Sequence, residues 1–285
     1  MQPTKLRGII PPMITPLKGD DELDREGAVR LTEHLVAGGV HAIFLLGTTG
    51  EAQSLTYRLR YEFVELVCRQ VAGRVPVLVG VTDTAFIESI RLAEHAAKCG
   101  AVGVVAAPPY YFAPSQQELI EYYTALADAL PLPLYLYNMP SHVKVFLEPA
   151  TVKTLASHPN IVGLKDSSAN MTYFQTLLYH LGDNPDFSLY VGPEELTGEC
   201  VLLGADGGVN GGANIFPELY VAMYDAACAH DIARVREIQR RIMQISTSVY
   251  TVGKYGSSYL KGVKCALSLL GVCDDYLSYP YRKFR

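Results

Sequence analysis

Residues 161–192 read IVGLKDSSANMTYFQTLLYHLGDNPDFSLYVG. The stretch holds a short apolar run at 161–165, a segment with helical spacing at Met171–Leu181 and a second short run at 188–192. Neither run alternates apolar with polar, so both read as strands covered on two faces. Strand, helix and strand in that order make a parallel βαβ unit, and the unit recurs outward in both directions. Further candidate strands lie at 8–15, 41–47, 75–81, 101–107, 133–138 and 207–210.

The segments between them have readable helix ends. Ser115 and Glu118 have the spacing of a capping box ahead of Leu119, Tyr122, Leu126 and Leu130. Asp24 or a neighbour opens the helix that carries Leu31 and Leu35, and Gly38 and Gly39 stop it. Leu59, Phe63 and Val67 mark the next apolar face, and Gly100 closes the helix with Ile90, Ala93 and Ala97. Eight strand–helix units predict an α/β fold, a (β/α)8 TIM barrel with additional C-terminal helices. Residues 1–285 then form a single domain: a barrel over 1–229, its eighth helix at 217–229, and a helical extension over 230–285 built from 232–249 and 259–270. An open doubly wound sheet competes, but no G-x-G-x-x-G follows the first strand and no charged linker splits the chain.

Composition excludes several functions. A chain that is 49% hydrophobic and 19% charged can bury a large core and is not disordered. Net charge −5 and a pI near 5.8, with Lys and Arg interspersed, offer no footprint for nucleic acid. Apolar runs such as 42–46 and 75–81 fall well short of the ~20 residues that span a membrane. Pro11, Pro12 and Pro16 interrupt the apolar N-terminal stretch, and no signal peptide is read there. The six cysteines are scattered, without a C-x-x-C pair or a Cys/His cluster, so free thiols, no structural zinc and a cytoplasmic location are expected.

Catalytic groups in such barrels come from the C-terminal strand ends. These carry Gly47-Thr48-Thr49-Gly50-Glu51, Tyr110-Tyr111, Tyr137-Asn138-Met139-Pro140, Gly163-Leu164-Lys165-Asp166-Ser167-Ser168, Gly192-Pro193-Glu194-Glu195 and the glycines at 207, 208, 211 and 212. Lys165 continues its strand without a break, so its amine enters the barrel top with Gly163 leaving space beneath; otherwise it has left the strand and pairs with Asp166 in solvent. Burial disfavours an ammonium and favours the neutral amine that forms a Schiff base. Tyr137 is a proton shuttle beside such an amine or a core tyrosine. Thr48 and Thr49 bind a small anion or simply cap a turn. Tyr110 and Tyr111 form a relay, an interface contact or a surface loop. The glycines cradle a phosphate or leave backbone open to a carboxylate, and His142 has no partner in sequence.

Together these motifs resemble the dihydrodipicolinate synthase and N-acetylneuraminate lyase family of pyruvate-handling class I aldolases. G-T-T-G-E at 47–51, Y-Y at 110–111, Y-N-x-P at 137–140 and G-L-K-D-S-S at 163–168 occur in the family's order, and G-A-D-G-G at 204–208 with Lys261, Lys264 and Leu270-Gly271 extends the likeness along the chain. The resemblance implies that Lys165 is the Schiff-base lysine and Tyr137 the proton shuttle. It implies a hydroxyl relay of Tyr137 with Thr48 and Tyr111, the last lent by a neighbouring subunit of a homotetramer or homodimer. Thr48 and Thr49 would hold the pyruvyl carboxylate, with the backbone of Val209 close by. The imine is its own electron sink, so no metal, PLP or thiamine cofactor is expected.

One position departs from the synthases. Where they carry a carboxylate-binding arginine after Y-N-x-P, this chain has His142, which cannot reproduce a permanent bidentate fork. Glu194 and Glu195, after Gly192, align with the acidic polyol-binding region of sialic-acid lyases, and Ser167 stands where those carry a hydroxyl residue. The expected activity is a pyruvate-dependent aldolase or lyase acting on a hydroxylated 2-oxo acid, a 2-keto-3-deoxy sugar acid or a sialic-acid-like compound. Its alternatives are 4-hydroxy-tetrahydrodipicolinate synthesis from aspartate semialdehyde, and dehydration of a 2-keto-3-deoxy acid through the same imine. A phosphosugar isomerase or epimerase and a non-catalytic 2-oxo acid sensor are the readings outside the class.

Overall fold

In the computed structural model, which describes residues 5–284, the βαβ unit at 161–192 is one of a ring. The strands are β1 (Gly8–Ile9), β2 (Ile43–Leu45), β3 (Val77–Gly80), β4 (Gly103–Ala106), β5 (Leu134–Asn138), β6 (Ile161–Asp166), β7 (Ser188–Val191) and β8 (Gly207–Gly208). All pairings within this ring are parallel, each strand from β2 to β8 lies beside its neighbour in sequence, and β8 pairs with β1; the short hairpin of Leu17–Gly19 and Glu22–Leu23 is a separate antiparallel pair. The ring closes between β1 and β2: His41 N–H donates to Ile9 O at 2.9 Å, Phe44 N–H to Pro11 O at 3.0 Å and Met13 N–H to Phe44 O at 2.8 Å. This is the expected (β/α)8 barrel.

The first and last strands are much shorter than the expected 8–15 and 207–210. Pro11 and Pro12 have no N–H to give, so beyond Ile9 the first strand touches its neighbours through single bonds rather than a ladder. At Gly207 the left-handed φ of +157° and the approach of Gly8 O, 1.9 Å from where a Cβ would stand, demand glycine and leave only a two-residue ladder.

Eight helices cover the strands: α1 (Arg25–Ala37), α2 (Tyr57–Val71), α3 (Phe86–Lys98), α4 (Gln116–Ala129), α5 (Pro149–Leu155), α6 (Met171–Leu181), α7 (Thr197–Leu202) and α8 (Pro217–Cys228). Their ends follow local chemistry. Asp24 Oδ1 accepts from Gly27 N–H at 2.9 Å, and the Ser115/Glu118 capping box is formed in both directions. No helix among the described residues is long and apolar enough to cross a membrane.

Two further helices, α9 (Ile232–Ser248) and α10 (Ser258–Leu269), extend the barrel. Val235, Ile238 and Ile242 of α9 share a buried cluster with Tyr220 and Met223 of α8, while Val263 and Leu267 of α10 enter the main core. The strongest tie is ionic. Lys264 Nζ lies 2.5 Å from Glu51 Oε1, both side chains fully buried, and also donates to Tyr276 O at 2.6 Å; Ser278 N–H donates to the second Glu51 oxygen at 2.8 Å. Glu51 ends the G-T-T-G-E loop, so the extension grips that loop from outside the barrel.

Removing one partner of such a pair strands a buried charge. Lys264→Met should therefore cost about 3–5 kcal/mol in urea unfolding, and adding Glu51→Gln should recover much of it. Equal, additive losses for the two changes would show that the pair is not coupled.

Candidate active site

The register of β5 against β6 sets the site. Tyr137 lies opposite Lys165, and Asn138 opposite Asp166. Asn138 Nδ2 donates to Asp166 Oδ1 at 2.8 Å, and Ser168 donates to the same carboxylate through its N–H at 3.0 Å and its hydroxyl at 2.9 Å. Burial raises the Asp166 pKa, and the Asn138 and Ser168 donors oppose that rise. Asp166 is thus committed on the outer wall, and strand alternation turns Lys165 inward. Lys165 is 6% exposed, its Nζ 4.2 Å from the centroid of the Tyr137 ring and 5.4 Å from that of Phe44. The solvent pairing with Asp166 does not occur. The space under the lysine is not left empty by Gly163: the Tyr135 ring fills it, 2.7 Å from where a Cβ would stand.

The loop at 47–51 brings the threonines over this floor. Gly50 N–H bonds Gly47 O and Glu51 N–H bonds Thr48 O, both at 3.0 Å, with Leu46 and Glu51 at φ of +57° and +55°. The N–H groups of Thr48 and Thr49 have no protein acceptor among the described residues, and N–H groups presented by such a turn form an anion cradle. Thr48 Oγ1 lies 3.3 Å from Tyr137 OH, and Thr49 Oγ1 lies 3.1 Å from Tyr259 OH.

Every residue expected at the site lines one cavity of about 250 Å³, except Tyr111. Tyr111 is 80% exposed, its ring edge-on to Phe112, on a loop beyond the cavity of its own chain. Ser167 and Gly192 meet across the floor, where an ideal Cβ on Gly192 would stand 2.0 Å from Ser167 Oγ. Val209 spends its N–H on Val191 O at 2.8 Å, so only its carbonyl remains for a ligand, an acceptor that does not attract a carboxylate. His142 stands at the rim, its pKa lowered by desolvation and then by the charges of Lys144 and Lys165.

Glu194 differs from the expected sugar-binding acid. Its Oε1 accepts from the hydroxyls of Tyr220 and Tyr250, and its Oε2 from Gly212 N–H at 2.8 Å. Burial raises its pKa against those three donors. With both oxygens taken, it organises the loop after β8 rather than offering a free acceptor. Glu195 accepts from the Ser246 hydroxyl and also faces the cavity. The sequence points to 245–258 as a segment at the mouth of the site but assigns no contact to Tyr250 and says nothing of Tyr259, and the extension contributes both to the wall. Among the described residues no group of three His, Cys, Asp or Glu side chains is arranged to hold a metal ion.

Residues 5–284 match the sequence profile of the dihydrodipicolinate synthetase family. The 4-hydroxy-tetrahydrodipicolinate synthase of Geobacter metallireducens is 34% identical over 274 residues, 96% of this chain and 92% of its own. The structure of dihydrodipicolinate synthase from Bacteroides thetaiotaomicron superposes with a TM-score of 0.96 at 61% identity, covering 98% of this chain and 94% of that one. YagE from Escherichia coli K12, solved in complex with pyruvate, superposes with a TM-score of 0.92 at 32% identity over 98% and 93% of the two chains. YagE is also named, provisionally, a 2-dehydro-3-deoxy-D-gluconate aldolase.

The raised pKa of Glu194 has a stability consequence with a definite sign. The native state holds this proton more tightly than the unfolded chain. The stability it contributes is full below about pH 4.5, the unfolded value, and is lost as pH rises through the raised native one. Urea unfolding of wild type and Glu194→Gln at pH 4 and pH 7 should show the wild type losing ground to the variant at the higher pH. A stability difference that stays constant, or moves the other way, would contradict the burial of this acid.

Proposed function

The chain belongs to the dihydrodipicolinate synthetase family of pyruvate-dependent lyases and synthases, and from that footing we propose that it makes or breaks the carbon–carbon bond between pyruvate and a polyhydroxylated aldehyde, with Lys165 as the Schiff-base amine. The observation that carries this reading is the buried lysine stacked 4.2 Å from the Tyr137 ring centroid inside the cavity at the C-terminal strand ends.

The chemistry runs as follows on this reading. The carboxylate of a 2-oxo acid rests on the N–H groups of Thr48 and Thr49, which puts its keto carbon before Lys165. The amine adds to that carbon and water leaves, giving a protonated imine. The imine draws electrons from the adjacent carbon, so a methyl proton is taken up at the Tyr137 hydroxyl as that group passes its own proton to Thr48 and on to solvent, giving an enamine. The enamine attacks the aldehyde carbon, and the new alkoxide takes a proton from Tyr137. Hydrolysis of the imine then frees the product and the amine; cleavage follows the same steps in reverse. The Thr48 hydroxyl at 3.3 Å serves Tyr137 as proton relay. Tyr111, 80% exposed on its loop, would extend the relay of a neighbouring subunit in a homotetramer or homodimer.

The aldehyde portion is assigned from what the cavity lacks. Among the described residues, Lys165 is the one lysine or arginine that lines it, and His142 is held toward its neutral form. A second carboxylate therefore finds no permanent cation. Ser167, Glu195 and Tyr250 instead offer the donors and acceptors that sugar hydroxyls use. The second reading, condensation with aspartate semialdehyde, is favoured by the names of the relatives and by the 61% identity to the Bacteroides thetaiotaomicron protein.

Borohydride reduction with pyruvate should leave a stable adduct on Lys165, located by peptide mass mapping and absent from Lys165→Ala. Tyr137→Phe should keep the adduct and lower turnover by about 10²–10⁴. In a panel of pyruvate with glyceraldehyde, N-acetylmannosamine or aspartate semialdehyde, turnover is expected with the hydroxylated aldehydes. Robust turnover of the semialdehyde alone would overturn that preference.

A further inference from the structure

Tyr259 opens α10, outside the barrel proper, yet its phenol reaches the carboxylate cradle. Its hydroxyl packs onto Gly211, where an ideal Cβ would stand 1.6 Å away. The Tyr250 ring stands edge-on to it, with centroids 4.8 Å apart, and Tyr250 is itself tied to Glu194 at 2.5 Å. The phenol is therefore held by two neighbours and has little freedom to turn.

Either hydroxyl can donate in the Tyr259–Thr49 pair, and the surroundings of the phenol favour Tyr259 as the donor. The hydroxyl of Tyr259 has one partner among the described residues, Thr49 Oγ1 at 3.1 Å. Desolvation raises its pKa above the ordinary phenol value, so it keeps its proton at neutral pH. A desolvated O–H needs an acceptor, and Thr49 Oγ1 is the one at hand. Thr49 has no other protein partner for this oxygen among the described residues, so its own proton is free to point into the cavity.

We propose that Tyr259 is a positioning residue: by donating to Thr49 Oγ1 from the C-terminal extension, it turns the Thr49 hydroxyl proton toward the carboxylate of the bound 2-oxo acid. The cradle then presents three donors, the N–H groups of Thr48 and Thr49 and the Thr49 hydroxyl. Without Tyr259 that hydroxyl has no fixed direction. The inference rests on the proposed placement of the pyruvyl carboxylate at this loop.

The test is pyruvate-dependent borohydride trapping on the full chain, for wild type, Tyr259→Phe, Thr49→Val and the double variant. Tyr259→Phe should raise the half-saturating pyruvate concentration about tenfold, the scale of one hydrogen bond to a charged group. The maximal trapping rate should stay within about twofold of wild type, because the amine is untouched. Thr49→Val should raise the half-saturating concentration by a similar factor, and the double variant should be no worse than Thr49→Val alone, since both changes remove one interaction. An unchanged half-saturation in Tyr259→Phe, a loss of maximal rate instead, or two effects that multiply would overturn the proposal. Should wild type itself trap nothing, the Schiff-base reading fails separately. Calorimetric pyruvate affinities of the same four proteins then decide the positioning role by the same pattern.

Discussion

The mouth of this barrel is governed by the two-residue period of a single strand inside a closed cylinder. Successive side chains of β6 face opposite walls, so Gly163 and Lys165 point in while Asp166 points out. The outward carboxylate is fully engaged by Asn138 and Ser168, which removes the nearest anion from the lysine's side of the sheet. The inward amine is left against two aromatic rings. A one-residue slip of β6 would exchange these faces and put the carboxylate in the cavity and the amine among the helices. The Asn138–Asp166 bond between β5 and β6 is what pins that register at the strand end where it matters.

Two buried acids show two ways of keeping charge in a low-dielectric interior. Glu51 meets a lysine, Lys264, and a backbone N–H. Among the described residues Glu194 meets no cation and is surrounded by two phenols and the Gly212 N–H, and burial raises its pKa. Each acid holds a loop on the catalytic face: Glu51 the threonine turn after β2, Glu194 the glycine segment after β8. Three of the groups that hold those acids, Lys264, Tyr250 and Ser278, come from beyond the eighth helix. The extension is thus a second wall of the site, and Tyr259 carries that wall to Thr49.

On the proposed reading, the cavity recognises charge with dipoles more than with ions. Apart from the lysine, anion binding falls to unpaired N–H groups and hydroxyls on a turn with two left-handed residues. Such donors are oriented before a ligand arrives and hold no formal charge that would quench a neighbouring carboxylate or raise the cost of the protonated imine. On that reading they match one carboxylate, while the opposite wall of hydroxyl, phenol and acid groups suits the neutral, oxygen-rich partner proposed above.

Much of this was legible along the chain. Apolar runs alternating with helical spacing determined the barrel, because strands covered on both faces need continuous apolar sequence and parallel strands need a crossover between them. The same reading put Lys165, Tyr137 and the Thr48-Thr49 pair at strand ends on one face, since in a parallel barrel all C-terminal ends share a side. Pattern alone left open whether Lys165 faced in or out; cross-strand register decided it. Only tertiary structure showed that Glu194 is spent on Tyr220, Tyr250 and Gly212, that Tyr111 stands outside its own chain's cavity, and that Tyr259 reaches a loop 210 residues away. Those facts depend on which side chains meet across long sequence separations, and the repeating pattern of strands and helices carries no information about that.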